Sequence, residues 1–274
     1  METLISADGT PIAFWREGSG PPLVLVHGGL CDHFAWFFVV PLLARKFTVY
    51  AFDRRGRGAS GDTQPYAVER EREDLAALLQ AAGEPAHLLG HSAGGILALQ
   101  AAERERDLRS LILYEPGFVI DGARELPRPE ILAEMQAALA AGKREEALRM
   151  AMREAVGATD AEIAALAGGP GWARLVAVAG AIPNDWALWQ EQFAAEKVRD
   201  LQTPTLMLMG SESPLWLRKG TEAILRALPH AQFVVFQGQG HSAMIAAPQV
   251  FAQAVIDWVD GAGRRYCSET GPNR

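Results

Sequence analysis

Apolar residues in this chain fall into short runs closed by turn-forming residues, with amphipathic stretches between them. Leu23-Val24-Leu25-Val26 is apolar throughout, as expected of a parallel strand buried on both faces. Residues 47–52, 86–89, 111–114, 205–209 and 233–236 read the same way. Ahead of them, residues 3–5 and 12–15 flank Ala7-Asp8-Gly9-Thr10-Pro11, a hairpin pattern. Helical periodicity is predicted over about 34–44, 68–82, 95–102, 217–228 and 248–259.

The alternation lapses between about 118 and 201. No strong strand pattern occurs there, only Ala/Glu/Arg-rich helical stretches at 129–141, 143–156 and 160–167. Gly168-Gly169-Pro170-Gly171 breaks them, and a Trp-rich segment follows. The pattern predicts an α/β fold, a mainly parallel doubly wound sheet with an inserted helical unit. Residues 1–117 and 202–260 would form the core, 118–201 the insertion and 261–274 a polar tail. In such sheets, sites form beyond the C-terminal strand ends. His27-Gly28-Gly29, Ser92, Glu115, Ser211-Glu212-Ser213 and His241 all fall at such ends.

Composition narrows the function classes. With 274 residues and 49% hydrophobic content, the chain can bury a sizeable core. A net charge of -7 argues against nucleic acid or an anionic membrane as partner. The N-terminus has no basic region leading into an apolar run, so no signal peptide is expected. Two cysteines, Cys31 and Cys267, make no disulfide framework, and a cytoplasmic location is expected. Metal-ligand spacing and phosphate or dinucleotide fingerprints are absent, so no cofactor is expected.

The chemistry centres on Gly90-His91-Ser92-Ala93-Gly94, a G-x-S-x-G motif between a predicted strand and a predicted helix. That setting defines a nucleophile elbow, a sharp turn that lifts the serine hydroxyl above the sheet edge. The Ala93 N–H then lies at a helix N-terminus, where negative charge is favoured.

With this motif stand His27-Gly28-Gly29 after an early strand, Asp53-x-Arg55-Gly56-x-Gly58-x-Ser60 after the next, and Gly238-Gln239-Gly240-His241 near the C-terminus. Together these resemble the α/β-hydrolase superfamily over nearly the whole chain. The resemblance implies an α/β-hydrolase fold with the insertion as a cap over the site. It also implies Gly29 as the second oxyanion donor beside Ala93, with Leu30 one residue off. His241 is the favoured base, since His27 and His91 belong to backbone-shaping motifs. His33, His87 and His230 are expected near solvent or helix ends. The commonest family pattern places an Asp three residues after Gly210, where this chain has Ser213. Glu115 is therefore favoured as the acid, a position resembling that of zearalenone-type lactone hydrolases, with Glu212 the alternative. The Asp53–Gly58 stretch is expected to be a structural turn.

Phe34, Phe118, Trp186 and Trp189, with Leu30, are candidates to line an apolar pocket. Trp36, Trp172 and Phe193 are further aromatics near the proposed entrance and in the cap. Their bland alternative is packing within the cap's own core. These residues point to a cofactor-free serine hydrolase for an ester or lactone of an apolar small molecule. C–C hydrolysis or perhydrolysis on the same groups, or non-catalytic ligand binding, are the alternatives.

Overall fold

The structure is a computed structural model and describes residues 1–104, 107–120 and 128–261. Eight strands form one sheet in the order β1-β2-β4-β3-β5-β6-β7-β8. They are β1 (Glu2–Ile5), β2 (Pro11–Glu17), β3 (Pro22–Val26), β4 (Thr48–Phe52), β5 (His87–His91), β6 (Ser110–Tyr114), β7 (Thr205–Gly210) and β8 (Gln232–Phe236). β1 and β2 make the antiparallel hairpin, and β2 adds antiparallel to β4. All other neighbours are parallel.

The continuous apolar runs become strands covered on both faces because successive side chains point to opposite sides. Val24, Val26, Leu88, Leu111, Leu113 and Met207 enter one core. There they meet α2 (Val68–Ala81) and α3 (Ala93–Arg104). Leu23, Leu25, Leu89, Ile112, Leu206 and Leu208 enter the other, against α1 (Val40–Leu43) and α12 (Pro248–Val259). Between β6 and β7 the described residues hold only helices: α4 (Pro129–Ala140), α5 (Arg144–Ala151), α6 (Asp160–Ala167), α7 (Trp172–Val178), α8 (Ile182–Trp189) and α9 (Ala195–Val198). This insertion has its own core of Ile131, Met135, Leu148, Ile163, Ile182 and Trp186, which Leu30 joins from the sheet side. After β7 come α10 (Leu215–Ala227) and, beyond β8, α11 (Ala243–Ala246).

Two predicted helices are interrupted. Over 34–44 the chain forms a 3-10 turn, His33–Trp36, capped by the Asp32 carboxylate on the Phe34 N–H, and then the short α1. Pro41 has no N–H to offer the Phe37 carbonyl, so one helix cannot run through. Over 143–156, α5 gives way to a π-helical turn at Met152–Val156, stopped by left-handed Gly157. No single helix among the described residues is long and apolar enough to cross a membrane. The predicted tail lies outside the described residues beyond Gly261.

Candidate active site

Ser92 sits between β5 and α3 with φ +53°, a left-handed conformation that costs a non-glycine residue roughly 1–2 kcal/mol. The turn is held by its surroundings. The Ser92 N–H donates to the Tyr114 carbonyl at 3.0 Å, and its own carbonyl accepts from Gly95 and Gly117 at 2.9 and 3.1 Å. The close approach of α3 to β3 demands glycine at 94: a Cβ there would lie 2.2 Å from the Val26 carbonyl oxygen. Ala93 opens α3, so its N–H has no acceptor within the helix.

Glu115, just past β6, is the second strained hinge, with φ +45° and no exposed surface. Its Oε2 lies 2.5 Å from His241 Nδ1, and its Oε1 accepts the Gly210 N–H at 2.7 Å. A carboxylate there calls for a proton on Nδ1, which leaves Nε2 free to accept one. Glu212 is exposed and takes only the neighbouring Ser211 hydroxyl, at 3.0 Å. Ser213 is buried and has no charge to offer.

The His241 loop is braced from below by two side chains. His91 Nε2 donates to the His241 carbonyl at 2.9 Å. The Tyr114 hydroxyl donates to the Gly240 carbonyl and accepts the Ala243 N–H at 3.1 Å. Burial holds His91 well below the usual histidine pKa, and the nearby His241 adds to this, so the ring stays neutral. His91 directly precedes Ser92 and Tyr114 directly precedes Glu115. One side chain thus ties the His241 loop to the Ser92 turn, and the other ties it to Glu115. The sequence reading foresaw a structural role for His91 and missed Tyr114. The available signal was an aromatic hydroxyl at the last position of a buried strand.

The loop His27-Gly28-Gly29-Leu30 faces the elbow: a Cβ on Gly28 would lie 3.2 Å from Ser92 Cβ. His27 Nδ1 donates to the Gly28 carbonyl at 2.8 Å, and its Nε2 accepts the Arg54 N–H at 3.2 Å. Leu30 is left-handed, φ +54°, and its N–H is taken by Asp185 Oδ2 at 2.8 Å. Gly29 lies under Trp189: a Cβ there would meet Trp189 Cζ2 at 2.7 Å.

The Asp53–Gly58 turn is a buried charge network. Arg54 donates to Glu71 through Nε and Nη2, at 2.6 and 2.8 Å. Desolvation raises the Glu71 pKa, but Arg54 and Arg57 outweigh it and hold the carboxyl below its ordinary value. Arg57 Nη2 donates to Asp185 at 2.5 Å. Arg55 bridges Asp74 and Asp8. Asp185, the insertion's contribution to this network, gave no sign in the sequence.

One of the histidines sits elsewhere than expected, and the candidate aromatics are held in packed or surface settings. His87 is buried on β5, not near solvent, because period 2 turns it inward onto the Ser110 hydroxyl at 2.7 Å. His33 starts the 3-10 turn and is stacked on Trp15, with Nδ1 2.6 Å from Asp53. Phe118 is 2% exposed and packs on Phe193, while Trp186 lies in the insertion's core. Trp36 is buried beside His91 and Phe251. Phe34 is exposed beneath the Arg174 guanidinium, 3.4 Å from the ring centroid. Trp172 is half-buried against Arg149.

Asp32, His33 and Asp53 bring potential metal-ligand atoms within 4.8 Å of one another. They are already engaged: Asp32 caps Phe34 and holds Arg174, and Asp53 binds His33 and the Ala59 N–H. Desolvation, with the nearby Asp185 and Asp32 carboxylates, pushes the Cys31 thiol up to about 12 and disfavours the thiolate.

A profile of the alpha/beta hydrolase family matches residues 23–254. The solved structure of an alpha/beta hydrolase from Sphaerobacter thermophilus superposes with a TM-score of 0.87 at 38% identity, covering 94% of this chain and 99% of that one. A pimeloyl-[acyl-carrier protein] methyl ester esterase of Aeromonas hydrophila is 28% identical over 254 residues, 89% of this chain and 97% of the relative. A probable oxidoreductase, EphD, of Mycobacterium tuberculosis is 40% identical over 98 residues, but that match spans only 33% of this chain and 17% of EphD. The strand order, the strained serine turn and a match across most of the sequence agree: this chain belongs to the alpha/beta hydrolase family.

Proposed function

We propose that the protein is a serine hydrolase that cleaves a carboxylic ester or lactone of an apolar small molecule, with Ser92, His241 and Glu115 as its triad. The observation that carries this reading is the 2.5 Å hydrogen bond from the partly exposed His241 to the buried Glu115, made from a strained strand end. Burying a carboxylate is costly unless it is paired, and here its partner is an imidazole. The esterase relative of similar length supports the ester bond as the target.

In this mechanism Ser92 Oγ attacks the carbonyl carbon while His241 Nε2 takes its proton. The Gly29 and Ala93 N–H groups hold the oxyanion. As the C–O bond breaks, His241 returns that proton to the leaving alkoxide, and the acyl group stays on Ser92. Water then gives a proton to His241 and its oxygen to the acyl carbon, and the serine recovers its proton. Glu115 holds the tautomer and stabilises the imidazolium. Residues 118–201 act as the cap, with Trp189 over Gly29 as the wall nearest the reacting carbonyl. Leu30, Trp186 and Phe118 belong to the apolar clusters that Trp189 packs against and so back that wall from within, while Phe34 lies at the surface beneath Arg174.

Hydrolysis of p-nitrophenyl acetate and butyrate tests the reading. Wild type should turn over and Ser92→Ala should not. A fluorophosphonate should add one phosphonyl group at Ser92 by intact mass. A Ser92→Ala variant as fast as wild type refutes the proposal.

A further inference from the structure

We propose that Asp185, on the inserted helix α8, is a positioning residue for the oxyanion loop, so that the loop is completed only when the insertion is seated on the sheet. The inference rests on the serine-hydrolase reading above. It starts from a residue type that does not belong where it is found. Asp185 is 1% exposed, and a carboxylate in that position is retained only with partners. It has partners on both sides.

Oδ1 accepts from Arg57 Nη2 at 2.5 Å and Arg54 Nη1 at 3.2 Å. Oδ2 reaches across to the backbone and accepts the Leu30 N–H at 2.8 Å, over 155 positions of sequence. Arg54 Nη1 also donates to the Gly28 carbonyl at 3.1 Å. The peptide groups on either side of Gly29 are therefore held from one charge cluster, of which the insertion supplies Asp185.

Leu30 shows why the hold matters. At φ +54° it occupies a region that a branched side chain avoids unless its surroundings impose it. The Asp185 bond accounts for the orientation of the 29–30 peptide, and Leu30 packs into the insertion's core. Without the carboxylate, Leu30 relaxes toward negative φ and the 29–30 peptide turns, while Arg54 loses an acceptor that fixes it and holds the Gly28 carbonyl, and with it the Gly29 N–H, less firmly. The Leu30 N–H itself is occupied and is not the oxyanion donor. The Arg54–Arg57 turn acquires a role here, since its two buried cations fix the carboxylate that fixes the loop.

Asp185→Asn is the direct test. With two arginines demanding an acceptor, the amide turns its oxygen to them and its NH2 to Leu30, donor against donor. Wild type and Ser92→Ala are measured first on p-nitrophenyl butyrate. Asp185→Asn should then lower kcat by roughly ten- to a hundredfold, part of the loss seen when an oxyanion donor is removed outright. KM should change less than threefold, and the pH–rate profile should keep the shape it has in wild type. A second variant covers the case in which Asp185→Asn does not fold. Replacing the Leu30 amide by an ester, through leucic acid in place of leucine, deletes the single N–H and leaves every buried charge paired. It should lower kcat in the same direction with KM retained. An inactive wild type removes the hydrolase reading and this inference with it. A serine-dependent wild type whose Leu30 ester form keeps kcat within twofold removes this inference alone.

Discussion

Replacing Glu115 by Gln changes one atom of the site and should nearly abolish turnover. The carboxylate holds two donors, the Gly210 N–H at 2.7 Å and His241 Nδ1 at 2.5 Å. The replacing amide has one oxygen. If that oxygen stays on Gly210, an N–H pair faces His241, and the ring must present Nδ1 as an acceptor. Its proton then sits on Nε2, where the serine proton has to go. In a serine–histidine–aspartate site the corresponding loss lowers kcat about 10⁴-fold, or about 5 kcal/mol at 1.36 kcal/mol per decade. We expect roughly 10³- to 10⁴-fold here, with urea unfolding free energy changed by only about 1 kcal/mol because the Gly210 bond survives. Steady-state hydrolysis of p-nitrophenyl butyrate reads the effect, with Glu212→Gln in parallel and expected within twofold of wild type. If Glu115→Gln keeps more than a tenth of kcat, or Glu212→Gln proves the slower of the two, the acid assignment is wrong.

Three further outcomes follow from the same geometry. Tyr114→Phe removes the hydroxyl that spans Gly240 and Ala243, so kcat should fall about tenfold with KM nearly unchanged and stability should drop by about 2 kcal/mol, two net hydrogen bonds; unchanged kcat would show that the His241 loop stands without its brace. Gly29→Ala puts a Cβ 2.7 Å from Trp189, so kcat should collapse and Trp189→Leu in the same chain should recover part of it; equal rates for single and double variants would place the fault elsewhere. Burial lowers the His87 pKa from 6.5 to about 4, so the unfolded chain binds more protons between those values, and the stability that neutral His87 contributes is present above pH 6.5 and lost as pH falls. By pH 5 the loss is about 2 kcal/mol, and His87→Gln should flatten the urea-measured pH dependence in that window; an unaltered slope would refute it.

Much of the architecture was legible from local pattern. Strands β3, β5, β6 and β7 carry apolar centres and are buried almost throughout because both sheet faces are covered, and each is only five or six residues long. The serine turn was legible because its geometry excludes side chains: Gly94 sits 2.2 Å, from a would-be Cβ, off the Val26 carbonyl. His241 stood out after a glycine-rich turn. The break ahead of α1 was marked by Pro41, whereas the π turn was less visible, since helical composition continues through it.

Near-neighbour features are written in the local pattern: strand alternation, the turn that needs glycine, and the family these motifs mark. Tertiary structure alone decided which groups meet. Resemblance favoured Glu115 over Glu212 without excluding the latter, and the packing of β6 beside β7 brings the first to His241 across 126 positions. Asp185 reads as one more acid on a helix until the insertion folds back and presses it against Arg54, Arg57 and the Leu30 amide. Such pairings leave no periodic trace, because a hydrogen bond depends on where two backbones converge and not on the residues beside each partner.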